Sequence, residues 1–491
     1  MDKHRIIGRE KEQNLLKTLC NKQEAQLISI YGRRRVGKTY LVKCFFNNNF
    51  DFFFTGSYNV STQVQLSLFS NALQQYSHTP QPIFKSWFEA FSALQSYLSV
   101  LKKERIVVFI DEIPWMDMPN ANFISAFSYF WNSWGSTFAQ LKLIVCGSAT
   151  TWMLDKFVGD KGGLYGRSNR TIYLAPFSLY ETEQFLINRN IVWDREQILE
   201  TYMIMGGIPY YLDMLDGSLP LSKNIDNLFF SETGDLRREY DFLFRSLYKN
   251  SELYTRIVEC MSRKLKGMTQ MEIKEEINGA ASGNFSDALE NLVNCDFARK
   301  YNSFGKKSKD AMYQLSDQYT LFYLRFVMNG SGQDANFWTN IDAHTHDSWA
   351  GYAFEQVCFH HIQQIKRKLG ISGIMTNAYS WMCKPKVDKD GTEWKGAQID
   401  LLLHRADSII NICEIKHSKH PYVITADYYK HIEERNSIFA HHTKAKEKLH
   451  NTFITTNGLQ PNMYSNMVQS QVVLDDLFKD ELQKDFRPKV V

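Results

Sequence analysis

Three short and mainly apolar runs mark the first third of the chain, and each is followed by glycine, acidic or small polar residues. They cover residues 27–31, 106–110 and 141–146. Runs of this length are typical of strands that are buried on both faces of a parallel sheet. Over residues 64–101 the apolar spacing instead follows the period of a helix. The pattern therefore predicts an α/β fold with a parallel sheet in this part of the chain.

The first run leads into a glycine-framed basic loop and then into a helical pattern. Gly32, four residues and then Gly37, Lys38 and Thr39 fit the pattern G-x-x-x-x-G-K-S/T, whose backbone N–H groups wrap a polyphosphate. The helix N-terminus adds its partial positive charge to such a site. We expect Lys38 to reach the β- and γ-phosphates and Thr39 to bind Mg²⁺. The predicted nucleotide contacts are Gly32, Arg33, Arg34, Arg35, Val36, Gly37, Lys38, Thr39 and Tyr40.

The second run ends in two acids, Asp111 and Glu112. The carboxyl ends of strands in open α/β sheets face the crevice where ligands bind. Because the pair follows the phosphate loop by about 70 residues, we interpret it as the partner of that loop. Asp111 is the predicted Mg²⁺ ligand, and Glu112 is predicted to orient or deprotonate the water that attacks the γ-phosphate.

These motifs resemble AAA+ and STAND-type ATPases, and in particular a related prokaryotic family often called the archaeal ATPases. Further stretches carry the resemblance: Gly8-Arg9-Glu10 upstream, Gly166-Arg167 before Pro176-Phe177-Ser178, and Gly206-Gly207-Ile208-Pro209. The resemblance implies ATP as the ligand. It also implies a helical lid after the core, in which the Gly-Gly-x-Pro stretch acts as a hinge or packs between helices.

Two pairs of polar residues acquire candidate roles from this resemblance. Ser148, or Thr150 just beyond it, follows the third apolar run, where AAA+ enzymes place a polar sensor of the γ-phosphate. Arg167 or Arg170 is the candidate to stabilise charge on the transferring phosphoryl group, in cis or across a subunit interface. Surface arginines and ordinary turn residues are the alternatives at these positions.

From residue 249 onward, three helical patterns precede two alternating segments around a basic turn. Three helices and a hairpin are the form of a winged helix-turn-helix, whose third helix can enter the DNA major groove. The third helix here carries Asp287 and Glu290, and the basic residues lie on the wing: Arg299, Lys300, Lys306, Lys307 and Lys309. We therefore favour a packing or general phosphate-contact role over sequence-specific reading.

Near the C-terminus two strand-like segments carry acids among apolar residues. Asp400 lies in one, and the other ends in Glu414-x-Lys416, whose two side chains face the same side of a strand. With Glu355 on a helical stretch upstream, these residues resemble the PD-(D/E)XK nuclease-like domain that often accompanies this ATPase family. Asp400 and Glu414 would chelate a divalent metal with Glu355 in support, and Lys416 would position or activate the water. The alternative is a hairpin with scattered surface charge.

The composition limits the number of domains, the partners and the location that we expect. A chain of 491 residues is too long to fold around a single hydrophobic core, so we expect several domains. The net charge of +4 neither demands nor excludes binding of nucleic acid. Eight cysteines without a C-x-x-C pair are typical of reduced thiols in the cytoplasm. The sequence shows neither a signal-peptide pattern nor an apolar stretch of about 18 residues, so we expect a protein that is neither secreted nor anchored in a membrane. The histidines at 360, 361, 417, 420, 441 and 442 lack a zinc-site spacing, so we expect them to be solvated.

The sequence thus predicts a P-loop ATPase core at 1–175, a helical lid at 176–248, a winged-helix region at 249–330 and an α/β restriction-endonuclease-like domain at 331–491. The expected function is Mg²⁺-dependent ATP binding and hydrolysis, coupled to a nuclease-like domain that binds or cleaves DNA. The alternative is an ATP-dependent regulatory or scaffold switch with an inactive nuclease-like domain and a protein partner. A homo-oligomer would bring Arg167 or Arg170 to a neighbour's phosphate.

Overall fold

The computed structural model describes residues 5–159, 164, 170–247, 251–277, 285–305, 311–328, 334–387 and 391–479. The chain divides into two compact units. The first comprises Met1–Pro176 together with Ile208–Tyr210 and Arg245–Lys249, and the second comprises the rest. No helix among the described residues is both long enough and apolar enough to cross a membrane.

A five-stranded sheet forms the centre of the first unit. Its strands are β1 Gln26–Tyr31, β2 Phe52–Thr55, β3 Ile106–Asp111, β4 Leu141–Gly147 and β5 Arg170–Tyr173. They lie in the order β2-β3-β4-β1-β5, and all neighbouring strands run parallel. Every residue of β3 and β4 is buried, which explains why their sequences are mainly apolar. The predicted parallel α/β sheet is confirmed.

Helices cover this sheet. They are α1 Glu10–Cys20, α2 Lys38–Phe45, α3 Thr62–Ser77, α4 Trp87–Ser99, α5 Phe123–Ser133 and α6 Thr150–Met153. The hydroxyls of Ser61 and Ser86 cap α3 and α4 by accepting backbone N–H bonds. Aromatic side chains of α3, α4 and α5 pack together under β2, with Trp87 wholly buried between Phe69 and Phe123. This packing fixes the sheet edge that carries β2 and β3.

The helices between residues 177 and 479 follow in chain order. They are α7 Leu179–Asn188, α8 Arg195–Met205, α9 Pro209–Leu212, α10 Leu221–Ile225, α11 Asp235–Leu247, α12 Ser251–Arg263, α13 Gln270–Glu276, α14 Phe285–Asn294, α15 Gln318–Phe322, α16 Ala343–His360, α17 Ile362–Lys368, α18 Ala426–Thr443 and α19 Leu474–Leu477. Capping boxes at Ser178 and Asp194 begin α7 and α8. Gly206, with φ of 70°, ends α8.

Two sheets complete the second unit. The small one contains β6 Met268–Thr269, β7 Ala298–Tyr301 and β8 Met312–Leu315, which pair antiparallel in the order β6-β8-β7 beside α12, α13 and α14. A separate hairpin pairs β10 Lys386–Val387 with β11 Glu393–Trp394. The wing residues Lys306, Lys307 and Lys309 lie outside the described residues.

The larger sheet contains β9 Thr376–Cys383, β12 Ala397–Arg405, β13 Ile409–Lys416, β14 Lys448–Thr455 and β15 Ser470–Val473. Its order is β15-β14-β13-β12-β9. The pairs among β9, β12 and β13 are antiparallel, and those among β13, β14 and β15 are parallel. Ile438 and Phe439 of α18 pack on Ile410 and Ile412 of β13, while α16 also contacts β13.

Among the histidines that we expected to be solvated, His361 is interior, and His417 and His442 are half-buried. His361 follows α16 and is only 1% exposed, so the expectation of a solvated side chain was wrong for it. Its neighbour His360 is exposed, because consecutive residues of a helical turn face different directions. The Nε2 atom of His361 accepts a hydrogen bond from the backbone N–H of Leu179, the first residue of α7, at 3.0 Å.

Candidate functional site

The loop between β1 and α2 is shaped by two glycines. Gly32 has φ of 148°, and a Cβ atom there would lie 2.3 Å from the carbonyl oxygen of Leu174. Gly37 has φ of 89° and directly precedes α2. Any other residue at these positions would strain the backbone or collide with it. The two glycines therefore keep the concave loop that the sequence pattern predicts.

Lys38 lies inside this loop. Its side chain is 6% exposed, and Nζ donates hydrogen bonds to the carbonyl oxygens of Gly32 and Arg33, both at 2.9 Å. A buried ammonium group must be hydrogen-bonded or paired to remain charged. The loop carbonyls thus keep the positive charge of Lys38 within the loop.

Two oxygen-bearing side chains meet beside Lys38. The hydroxyl of Thr39 donates to Oδ2 of Asp111 at 2.8 Å, which joins the start of α2 to the end of β3. Burial, and then the adjacent charge of Glu112, raises the pKa of Asp111 to about 6. A hydroxyl and a carboxylate are the hard oxygen ligands that Mg²⁺ takes. These residues therefore fit a magnesium ion next to a phosphate-binding loop.

The side chain of Glu112 reaches the end of β4. Its backbone is left-handed, with φ of 48°. Its Oε2 atom accepts hydrogen bonds from the hydroxyl of Ser148 at 2.8 Å and from the N–H of Ser148 at 3.2 Å. The structure thus brings Glu112 and Ser148 together at adjacent strand ends. Thr150 is the first residue of α6 and is buried.

The arginines differ in placement. Arg33 is 1% exposed, whereas Arg34 and Arg35 are partly exposed. Arg170 is exposed at the first position of β5, and Arg167 lies outside the described residues. In the rest of the predicted contact set, Val36 is buried and Tyr40 is 43% exposed.

Sequence reasoning did not assign Arg9 to the loop. Arg9 directly precedes α1 and is 6% exposed, with φ of 61°. Its Nη2 atom donates to the carbonyl oxygen of Val36 at 3.4 Å. Arg9 therefore supports the loop from outside. The Gly8-Arg9 pair was visible in the sequence, but its partner lies 27 residues away and only the fold identifies it.

Comparison with known proteins agrees with this geometry. Residues 6–215 match the family described as an ATPase domain predominantly from Archaea. The N-terminal part of this chain is a P-loop ATPase domain. An uncharacterized protein of Methanocaldococcus jannaschii is 25% identical over 356 residues, which are 72% of this chain and 76% of that protein.

Two further relatives are similar to parts of the chain. An uncharacterized ATP-binding protein of the same organism is 48% identical over 43 residues, which are 9% of this chain and 73% of that protein. Among solved structures, the Walker-type ATPase of Pyrococcus abyssi aligns with a TM-score of 0.46 at 18% identity. That alignment covers 65% of this chain and 96% of the other.

Outside the ATPase domain, the second unit contains a cleft of about 220 Å³. It is lined by Glu355 and Tyr352 of α16, Asp400 of β12, Arg299 of β7 and Lys266. Burial, and then the charge of Asp400, raises the pKa of Glu355 well above its usual value. The structure therefore brings the predicted residues Glu355 and Asp400 into one cleft, beside two basic side chains from the neighbouring three-helix region.

Glu414 and Lys416 do not line this cleft, although the charge of Lys416 still acts on Glu355. Lys416 Nζ contacts Oε1 of Glu414 at 2.9 Å, and Tyr428 and Arg435 of α18 also donate to this carboxylate. Burial alone would raise the pKa of Glu414, but Arg435 and then Lys416 hold it below its usual value. The carboxylate is thus occupied by side chains of the protein itself.

A strand irregularity accounts for this separation. The register of β12 against β9 shifts between Ile399 and Leu402, and both residues pack in the apolar cluster of Phe439 on α18. In a regular strand, residues three apart face opposite sides. Asp400 lies within the shift and points into the α16 cleft, whereas Glu414 faces α18. Within the described parts of the chain, no three His, Cys, Asp or Glu side chains could together hold a metal ion.

Proposed function

We propose that this protein binds ATP with Mg²⁺ at the loop of residues 32–40, hydrolyses it, and acts as a nucleotide-dependent switch. One observation carries the proposal: the Thr39 hydroxyl and the Asp111 carboxylate meet at 2.8 Å beside the buried Lys38. Two segments that lie 72 residues apart in sequence converge there, and both carry residue types that phosphoryl transfer requires.

The roles of the side chains follow from their positions. Lys38 places a positive charge in the glycine-framed loop, where phosphate oxygens would lie. Thr39 and Asp111 would hold Mg²⁺, which when bound neutralises charge on the phosphates. Glu112 would accept a proton from the attacking water through Oε1, because Ser148 occupies Oε2. Ser148 thereby fixes the direction of the Glu112 carboxylate.

Two variants separate binding from hydrolysis. Lys38→Ala is expected to abolish binding of a fluorescent ATP analogue in a titration. Glu112→Gln keeps its size and position, so binding should persist while hydrolysis falls by about 100-fold or more. Lys17→Ala, an exposed lysine on α1, is the control and should match the unsubstituted chain. Undiminished nucleotide binding by Lys38→Ala would refute the assignment.

A second proposal concerns residues 331–491. We propose that they form a nuclease-like domain that serves regulation and does not cut nucleic acid. The separation of Asp400 from Glu414, and the hydrogen bonds from Arg435 and Tyr428 to Glu414, favour this over a nuclease. Its partner is then DNA, contacted through the winged-helix region, or another protein. The free thiols of all eight cysteines agree with a cytoplasmic location.

A digestion assay tests this second proposal. Plasmid and branched DNA are incubated with Mg²⁺ or Mn²⁺ and the full chain, without nucleotide or with ATP or ADP. We expect no metal-dependent cleavage under any condition. Cleavage by the unsubstituted chain that Asp400→Ala abolishes would show instead that the domain is a nuclease. The result bears only on this domain, since Lys38→Ala tests the ATPase site separately.

A further inference from the structure

Arg35, in the middle of the phosphate loop, has an unusual backbone conformation. Its φ is 75°, in the left-handed region that favours glycine. For a residue with a Cβ this conformation costs energy, and it persists only where neighbouring contacts enforce it. Some contact of Arg35 must therefore compensate for the strain at this point of the loop.

The side chain of Arg35 has such a contact. Its guanidinium carbon lies 3.8 Å from the centroid of the Tyr210 ring. A guanidinium group stacks on an aromatic face both by electrostatic attraction to the ring and by contact between two planar groups. The stack ties the side chain of Arg35, and with it the strained backbone, to a fixed aromatic surface.

Tyr210 is well placed for this role. It belongs to the short segment Ile208–Tyr210, which groups with the first unit although the flanking residues group with the second. Pro209 begins α9 one residue earlier and fixes its own φ, so the direction of the chain at Tyr210 is constrained. The Tyr210 side chain remains 43% exposed. Hydrophobic burial thus accounts for only part of its placement.

We infer that Tyr210 is a positioning residue of the nucleotide site: by stacking on Arg35 it holds the phosphate loop in the left-handed turn that nucleotide binding uses. The inference rests on the proposed ATP site and adds a residue from outside the loop motif. It does not require Tyr210 to touch the nucleotide. The Gly-Gly-x-Pro stretch, which we expect to act as a hinge or to pack between helices, is thereby followed directly by a residue that supports the phosphate loop.

The first test replaces the ring. Tyr210→Ala is expected to weaken binding of a fluorescent ATP analogue and to raise KM for ATP by about five- to tenfold, the scale of one cation–π contact. The value of kcat should stay within about twofold, because loop shape serves bound substrate and transition state alike. Tyr210→Phe keeps the ring and should behave as the unsubstituted chain. Tyr129→Ala, which removes a 65% exposed tyrosine of the same unit, is the control.

The decisive test changes the strained residue. Glycine adopts φ of 75° without strain, so an Arg35→Gly chain no longer needs the stack. In that background Tyr210→Ala should have no further effect on KM or on analogue binding. If it still weakens binding five- to tenfold, Tyr210 acts directly on the nucleotide and the inference is overturned. An unchanged KM for Tyr210→Ala in the otherwise unsubstituted chain also overturns it. Absence of Lys38-dependent binding would instead refute the ATP site itself.

Discussion

His361 makes the stability of the second unit depend on pH in a way that the structure quantifies. Its ring is 1% exposed. Nε2 accepts the N–H of Leu179, so the ring proton sits on Nδ1, which donates to the carbonyl oxygen of Val357 at 2.8 Å. A second proton on Nε2 would break the contact with Leu179 and place a charge at the N-terminus of α7, whose dipole repels it. The folded state therefore holds the neutral imidazole.

The size of the effect follows from the pKa. Burial, and then the nearby His360, lowers the pKa of His361 to about 4 in the folded state, although the hydrogen bond to Val357 opposes the change. In the unfolded chain a histidine has a pKa of about 6.5. Between these values only the unfolded chain binds the proton, so the free energy of unfolding falls as pH falls. From pH 7.5 to pH 5.0 the loss amounts to about 2 kcal/mol.

Urea unfolding at the two pH values measures this loss. His361→Gln retains a hydrogen-bond acceptor but does not titrate, so its stability should change by about 2 kcal/mol less than that of the unsubstituted chain. The exposed neighbour His360→Gln is the matched control and should keep the full pH dependence. Hydrogen exchange of peptides from α7 and α16 locates the effect. Equal pH dependence in His361→Gln and the unsubstituted chain would refute the reasoning.

Two further predictions concern a backbone clash and a buried ion pair. Gly32→Ala places a Cβ atom 2.3 Å from the carbonyl oxygen of Leu174, and should destabilise the first unit by more than about 2 kcal/mol in urea unfolding. Gly37→Ala, whose Cβ would meet no atom within 4 Å, should cost only about 1 kcal/mol of backbone strain, and an equal cost for both would contradict this. Arg435→Ala leaves the carboxylate of Glu414 buried without its main partner, and should cost about 3–5 kcal/mol. Adding Glu414→Gln should restore much of that loss, and no recovery would show that Arg435 acts through packing alone.

The phosphate site could be predicted because each of its parts is local in sequence. The loop glycines, Lys38 and Thr39 form one continuous motif, and the acids at the end of β3 follow an apolar run that only a buried strand explains. Parallel pairing then brings strand ends to one edge. Glu112 and Ser148 lie close together because each directly follows one of two adjacent parallel strands. Arg9 and Tyr210 escaped prediction because nothing in their own segments indicates a partner in the loop.

The positions of the C-terminal acids could be predicted only in part. Side-chain alternation correctly places Glu414 and Lys416 on one face of β13, and alternation alone would direct Asp400 to the same face. The register shift in β12 reverses that direction, and no residue type at 399–402 reveals it.

An acid in an apolar strand is equally consistent with a metal ligand and with a buried ion pair, since both compensate the desolvation of its charge. For Glu414 the deciding partner, Arg435, lies 21 residues later on α18. A nuclease with this sequence would have to bring Asp400 back to the α18 face and release Glu414 from Arg435. Breaking that pair costs about 3–5 kcal/mol unless a bound metal replaces the arginine. Arginine and metal thus compete for one carboxylate, so excess Mn²⁺ should raise the stability of the second unit if it displaces Arg435, because a ligand that binds the folded state stabilises it. If it does not, the ion pair is the resting and working state of this domain.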